Sequence, residues 1–153
     1  MTAKWHNDRV NWQANLIEQP EEIARILRDA RTVAVVGIKD DRFQPAFFVP
    51  DYLQRQGYRI VPVNPRYERV LGERCHASLL EIAEPVDIVD VFRASHNILP
   101  HAAEALQLKP KVFWMQSGIR NAEAAEILAR AGILVVQSRC IMLDHRHLVG
   151  SGR

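Results

Sequence analysis

The segment Val33-Ala34-Val35-Val36-Gly37, VAVVG, is an apolar run of strand length that ends at a glycine. Its length and its β-branched residues predict a buried strand. Four further runs of the same kind recur along the chain, at Tyr58 to Val63, Val86 to Val91, Val112 to Met115 and Ile133 to Val136. The sequence therefore predicts five strands.

Segments with helical spacing lie between these strands. Two of them stop at a glycine, which takes the left-handed conformation at a helix end at low cost. Another helix is predicted to begin near Pro20, where a first-turn proline is tolerated. The apolar positions that define the helices are Ile23, Ala24, Ile26, Leu27 and Ala30; Val49, Tyr52 and Leu53 before Gly57; Ala102, Ala105 and Leu106; and Ala124, Ile127, Leu128 and Ala131 before Gly132.

The alternation of strands and helices predicts βαβ units joined by right-handed crossovers. The expected fold class is α/β: a single doubly wound, Rossmann-like domain with a five-stranded parallel sheet and helices on both faces. Asp87 and Asp90 interrupt the third strand, which is easier to accept at a sheet edge and favours the strand order 3-2-1-4-5. Pro62 weakens the second strand as an interior member of the sheet. We expect an N-terminal segment and helix over residues 1–30 to pack on a domain over residues 31–153.

Composition excludes several classes of protein. With 153 residues, 48% of them hydrophobic and 25% charged, the chain has the balance of a single globular domain rather than a disordered or fibrous protein. The net charge is +2 and the basic residues are scattered, which argues against a nucleic-acid or membrane partner. Cys75 and Cys140 have no metal-ligand spacing and suit a reducing compartment, so a cytoplasmic location is expected. No signal peptide and no apolar run of roughly 18 residues is visible.

A ligand of an open α/β sheet binds beyond the carboxyl ends of the strands, where the strand order reverses. With the expected order, this point lies between the first and fourth strands. The candidate segments are Gly37 to Pro45, Asn64 to Tyr67, Phe92 to His96, Gln116 to Gly118 and Ser138 to Cys140.

The loop after the first strand is a candidate phosphate site. Its backbone amides and the start of the following helix could meet an anion. The loop has one glycine, Gly37, rather than a GxGxxG motif, so Lys39 and Arg42 are candidates to supply positive charge. An ordinary strand-to-helix turn with solvated charges is the alternative interpretation.

The end of the second strand carries Asn64-Pro65-Arg66. An NAD site normally places Asp or Glu there to hold the ribose hydroxyls. A cation in place of a carboxylate disfavours NAD and favours a nucleotide with an additional ribose phosphate, such as coenzyme A (CoA) or NADP. The alternative is a surface arginine in a proline turn.

Together these motifs resemble the stand-alone bacterial CoA-binding proteins, whose domain is similar to the nucleotide-binding domain of the succinyl-CoA synthetase alpha subunit. The resemblance extends from about Arg31 to Leu148. The segments that carry it are Val33 to Gly37, Gly57 to Pro65, Pro85 to Arg93, Trp114 to Ile119, Asn121 with Glu123-Ala124-Ala125, and Arg139-Cys140-Ile141.

The resemblance implies that CoA or an acyl-CoA binds along the predicted crevice. The loop after Gly37 would meet the phosphates, the Asn64 turn would lie near the adenosine and its ribose phosphate, and the segment after Phe92 would border the adenine or pantetheine. The phosphate loop departs from the family pattern at Ile38, Lys39 and Gln44-Pro45-Ala46. The implied cofactor-binding residues are Gly37, Ile38, Lys39, Arg42, Asn64, Pro65, Arg66, Phe92, Arg93, Ala94, Gln116, Ser117 and Gly118.

No complete catalytic constellation is visible, and a complete acyl-CoA ligase would need domains that the resemblance does not cover. His145-Arg146-His147, with Asp144 and Cys140 nearby, suggests either zinc ligands or a nucleophile. The favoured interpretation is a buried cysteine and structural polar contacts, with no metal and no catalytic residue.

The leading hypothesis is therefore non-enzymatic binding of CoA or an acyl-CoA, with an unidentified protein partner possible. The alternatives are a component of a multi-chain acyl-CoA synthetase or transferase, and an NAD(P)-binding redox sensor.

Overall fold

The computed structural model describes residues 11–150, so residues 1–10 of the predicted N-terminal segment and residues 151–153 lie outside it. Five strands form a parallel sheet, and two short strands form a separate antiparallel ribbon. The strands are β1 (Thr32–Val36), β2 (Arg59–Val63), β3 (Arg69–Val70), β4 (Glu73–Arg74), β5 (Ile88–Val91), β6 (Val112–Met115) and β7 (Leu134–Val136).

Within residues 11–150, five α-helices cover this sheet, and three short 3₁₀ turns join them to it. The helices are α1 (Pro20–Asp29), α2 (Pro45–Arg55), α3 (Ile98–Leu108), α4 (Ala122–Arg130) and α5 (Ile141–Leu148), and the 3₁₀ turns are Trp12–Asn15, Leu79–Glu81 and Ser95–Asn97. Helix α1 begins at the expected proline, with Glu21 and Glu22 in its first turn. Asn121 caps α4 by accepting a hydrogen bond from the amide of Ala124. None of these helices has the length and apolar character needed to cross a membrane.

Side chains of the sheet alternate between two apolar layers. In β1, Ala34 and Val36 belong to the layer formed with α3 and α4, whereas Val33 and Val35 belong to the layer formed with α1, α2 and α5. Both faces of the sheet are therefore covered, as its apolar strands require. The predicted fold class, a doubly wound parallel sheet with helices on both faces, is confirmed.

The order of the strands in space is β2-β1-β5-β6-β7, which is 2-1-3-4-5 when the strands of the large sheet are numbered along the chain. The third strand therefore lies in the middle of the sheet rather than at the edge where we expected it. Strand β2 takes the edge position, which suits Pro62 because an edge strand does not need every amide proton. As a result, the strand order reverses between β1 and β5, not between the first and fourth strands.

The two aspartates of the third strand are accommodated in different ways. Asp87 lies just before β5, and its carboxylate accepts hydrogen bonds from the amides of Arg31 and Thr32, at 2.7 and 3.0 Å. Asp90 lies inside β5, between Val35 of β1 and Trp114 of β6, and it is fully buried. Neither of its carboxyl oxygens has a hydrogen-bond partner among the described residues. Burial raises the pKa of the Asp90 carboxyl well above its ordinary value, which favours the neutral form of this acid in the central strand.

The ribbon β3–β4 was not predicted from the sequence. Its turn consists of Leu71 and Gly72, which have φ angles of +56° and +77°. Two consecutive residues with positive φ are typical of the tight hairpin turn that twists with its strands. Leucine rarely occupies the first of these positions, and the usual Asn-Gly or Asp-Gly signal is therefore missing.

Replacing Asp90 by asparagine is expected to change how stability depends on pH. Above the ordinary pKa of about 3.9, the unfolded chain loses the Asp90 proton while the folded chain keeps it, so this group lowers the free energy of unfolding by up to about 1.4 kcal/mol per pH unit. The Asp90→Asn variant lacks this loss. Urea unfolding of both proteins from acidic to neutral pH should show the variant gaining stability relative to the native chain as pH rises.

The surface variant Asp29→Asn, at the end of α1, controls for removing one carboxyl from the protein. Parallel stability profiles for the native chain and Asp90→Asn would contradict a neutral Asp90.

Candidate functional site

The loops after β1 and β5 meet where the strand order reverses. Gly37, the residue after β1, has a φ of +81°, and its amide donates to the carbonyl of Val63 at 3.0 Å. A Cβ atom at this position would lie 2.4 Å from the carbonyl oxygen of Phe92. Only glycine satisfies both the positive φ and this close approach. The two loops are therefore packed backbone against backbone.

The side chain of Arg93 extends across this contact. Its Nε atom would lie 3.3 Å from a Cβ atom at position 37. Arg93 also acts on His101 in the first turn of α3: burial lowers the pKa of His101, and the charge of Arg93 lowers it further, against the opposing effect of Glu104. Arg93 thus places a cation at the reversal point, beside Gly37 and near α3.

The loop between β1 and α2 is organised by Asp41. The carboxylate of Asp41 accepts hydrogen bonds from the amide of Phe43 at 3.1 Å and from the side chain of Gln44 at 3.4 Å, and its carbonyl accepts from the amide of Gln44. Asp41 therefore shapes the turn.

Several amides of this loop are already used within the chain. Besides Phe43 and Gln44, the amide of Lys39 donates to the carbonyl of Ala46. The side chains of Lys39 and Arg42 are exposed, and the guanidinium of Arg42 lies 5.0 Å from the centre of the Phe43 ring. Phe43 is itself 78% exposed. The loop consequently offers cations and an aromatic ring to a ligand, while three of its amides are engaged within the chain.

Asn64 joins the end of β2 to the same loop. Its buried side chain donates to the carbonyl of Ile38 at 2.7 Å and accepts from the amide of Arg66 at 2.9 Å. Ile38 is completely buried, so it holds the loop rather than facing a ligand. Pro65 and Arg66 are exposed at the turn. The side-chain amide of Asn64 thus occupies a position at which an NAD-binding domain places a carboxylate.

A pocket of about 430 Å³ lies beside this turn, between the end of β2 and the ribbon. The candidate segment Asn64 to Tyr67 that the sequence predicts supplies its Asn64, Pro65 and Tyr67 but not the residues that complete it. The remaining lining residues are Glu68, Arg69, Arg74, Cys75, Ala77 and Glu81. In the sequence, the only signal for the ribbon residues is the pair of arginines on either side of Leu71-Gly72. That pattern is also typical of an ordinary polar loop.

The loop after β6 is tied to the loop after β7. The side chain of Gln116 is buried and accepts a hydrogen bond from the amide of Ile141 at 3.2 Å, so it anchors the start of α5. The amide of Gly118 donates to the hydroxyl of Ser138 at 3.1 Å. Ser117 is exposed between them. This segment forms the far wall of the carboxyl edge, two strands away from β1.

The polar residues of α5 make structural contacts. Arg139 binds Asp144 through two hydrogen bonds of 2.7 and 2.9 Å, and Nδ1 of the buried His145 lies 2.8 Å from the hydroxyl of Tyr52. Within residues 11–150, no group of three His, Cys, Asp or Glu side chains is arranged to hold a metal ion.

The structure therefore brings together Gly37, Asn64, Phe92 and Arg93 at the reversal point, with Lys39 and Arg42 on the adjoining loop. Ala94 is exposed just beyond Arg93, and Gln116, Ser117 and Gly118 lie further along the same edge. This doubly wound parallel sheet, with a glycine at its reversal point, defines a Rossmann-like domain.

Comparison with known proteins assigns the family. Residues 31–146 match the family described as CoA binding domain. Because this match covers most of the chain, the protein belongs to that family.

Small proteins and parts of large ones are both similar to this chain. The uncharacterized protein YneT of Bacillus subtilis is 40% identical over 124 residues, which cover 81% of this chain and 92% of that protein. The structure of cell-free ID.343 from Thermus thermophilus has a TM-score of 0.83 and 46% identity, covering 86% of this chain and 99% of that one. An ADP-forming acetate–CoA ligase of Archaeoglobus fulgidus is 25% identical over 122 residues, which cover 72% of this chain but 18% of the ligase.

The close approach at Gly37 makes a specific mutation informative. Gly37→Ala is expected to destabilise the protein by about 1–3 kcal/mol more than Gly132→Ala, because its Cβ overlaps the carbonyl oxygen of Phe92. Gly132 is a matched control: its φ is +87°, and nothing lies within 4 Å of a Cβ there. Both variants carry the cost of a positive φ, about 1–2 kcal/mol. Equal urea midpoints for the two variants would contradict the backbone contact.

Proposed function

We propose that this protein binds CoA or an acyl-CoA at the carboxyl edge of its sheet, without catalysing a reaction on its own. The family supports the cofactor. The observation that carries the proposal is the reversal point itself. There the side chain of Arg93 lies beside the Gly37–Phe92 contact, and the adjoining loop carries the exposed Lys39 and Arg42. A pyrophosphate is the group that this arrangement of cations suits best.

The phosphates would be held mainly by side chains. A glycine-rich loop offers its backbone amides to a pyrophosphate, but here the amides of Lys39, Phe43 and Gln44 donate within the chain. Positive charge from Arg93, Lys39 and Arg42 would take over that role. Binding of this kind weakens steeply as salt concentration rises.

The end of β2 argues for CoA over NAD. The side chain of Asn64 is used to hold the backbone of Ile38 and Arg66 and offers no carboxylate to ribose hydroxyls. CoA carries a phosphate on its ribose, so its adenosine end is anionic and suits the arginine-bearing surface beside the Asn64 turn. NADP shares a ribose phosphate, but hydride transfer would also need a second substrate site, for which we find no candidate among the described residues.

The proposal that this chain alone catalyses no reaction is supported by how little of the similar ligase it covers. This chain spans less than a fifth of the Archaeoglobus ligase. We assign structural rather than catalytic roles to two polar residues of α5, since Asp144 is paired with Arg139 and His145 is buried against Tyr52. We propose that the chain presents its ligand to a protein partner or reports its concentration.

Calorimetric titration with CoA, acetyl-CoA, NAD and NADP at constant salt tests this function. We expect CoA and acetyl-CoA to bind and NAD to give no measurable heat. Arg93→Gln should weaken CoA binding by roughly ten- to a hundredfold, the value of a charge-assisted hydrogen bond to phosphate. Affinity should also fall as salt is added.

The matched control is Arg130→Gln. Arg130 is an exposed arginine of α4 that is paired with Glu126 at 2.7 Å, so its loss should leave the CoA affinity unchanged. No heat with either CoA species would refute the proposed function. Equal weakening by both variants would remove Arg93 from the site.

A further inference from the structure

Two arginines face each other across the ribbon beside the β2 turn. Arg69 of β3 and Arg74 of β4 are register partners in the antiparallel pair, and both are exposed. Directly opposite residues of such a pair have their Cβ atoms about 5 Å apart. The side chains of the two arginines therefore leave the ribbon on the same face.

Like charges placed directly opposite destabilise a strand pair. Two carboxylates, Glu68 and Glu81, also line the pocket. Among the described residues, neither of them forms an ion pair with the ribbon arginines: Glu81 accepts the amide of Ala77 and lies 3.9 Å from His76. Glu73, the neighbour of Arg74, pairs with Arg59 at 3.0 Å. Neither ribbon arginine makes an ion pair with the described residues, although Arg69 donates to the carbonyl of Gly72 at 2.9 Å. Such an unfavourable pair in a two-residue ribbon is most easily explained by an anion that binds between the two side chains.

The pocket next to the ribbon connects this pair to the proposed cofactor site. Arg69 and Arg74 line the pocket of about 430 Å³, which begins at Asn64 and Pro65. The pocket has the size of a small-molecule site. Arg66, the arginine that the sequence indicated for the ribose phosphate, is not among its lining residues.

The β1 loop lies on the other side of this pocket. Asn64 donates to the carbonyl of Ile38, and burial together with the negative charge of Asp40 raises the pKa of Cys75 in the pocket wall. Asn64 thus joins the β1 loop to the pocket, and a ligand with its pyrophosphate at the reversal point could reach the ribbon past this residue.

We propose that Arg69 and Arg74 together bind the phosphate on the ribose of CoA, and that they, rather than Arg66, select ligands that carry this phosphate. This inference rests on the proposed function, since it assigns one end of the same ligand. Two guanidinium groups provide up to ten N–H donors in planar forks, which suits the three oxygens of a phosphate monoester.

Titration with CoA and with 3′-dephospho-CoA, which differ by this phosphate alone, tests the proposal. The native chain should bind CoA at least tenfold more tightly than dephospho-CoA. The double variant Arg69→Gln/Arg74→Gln should bind both compounds alike, with its affinity for dephospho-CoA unchanged. Its thermal midpoint should equal or exceed that of the native chain because the repulsion between the arginines is removed.

Arg66→Gln is the matched control within the same turn, and it should keep the preference for CoA. The proposal is overturned if the double variant keeps the preference, if Arg66→Gln abolishes it, or if the native chain binds CoA and dephospho-CoA equally. These three results leave the proposed function standing. Failure of the native chain to bind either compound overturns the proposed function and the ribbon assignment together.

Discussion

The contact between Gly37 and the carbonyl of Phe92 is the constraint on which the geometry of the site depends. A backbone approach that leaves no room for a Cβ atom holds the β1 loop against the end of β5. The amide of Gly37 is at the same time bonded to Val63, so three adjacent strands end at one position. The charged side chains of the β1 loop and of Arg93 are positioned relative to each other by this backbone contact rather than by contacts of their own.

Much of the fold could be predicted from the sequence, because apolar runs such as Val33 to Val36 and helix stops such as Gly132 are local signals. The order of the strands in the sheet, in contrast, has no local signal in the sequence. Several right-handed arrangements satisfy the same pattern, and our choice among them assumed that Asp90 is charged. The structure buries Asp90 completely in a central strand, where a neutral carboxyl costs far less than an ion. The preference of charged side chains for edge strands does not apply to Asp90, because its burial favours the neutral form.

The candidate site was also predicted only in part, because some of its residues are brought together by the fold class and others by local backbone geometry. Gly37, Asn64 and Arg93 follow strand ends, and the carboxyl ends of parallel strands share one edge, so their proximity follows from the fold class alone. The ribbon arginines follow no long strand and precede no helix. Their proximity depends on a turn through Leu71, whose positive φ no propensity predicts. Likewise, the role of Asp41 as the organiser of its loop is set by hydrogen bonds to Phe43 and Gln44, which charge counting does not reveal.

A site that meets phosphates with side chains selects its ligand differently from one that uses backbone amides. Amides of a glycine-rich loop recognise the shape of a pyrophosphate, whereas flexible cations respond mainly to the number and spacing of negative charges. Two separated groups of cations, at Arg93 with the β1 loop and at the ribbon, favour a ligand with two separated anionic groups. Once one group is bound, the second binding event is intramolecular and gains from a high effective concentration. Under the proposed function, discrimination against a dinucleotide such as NAD then follows from its lack of a ribose phosphate, which leaves the ribbon cations without a partner.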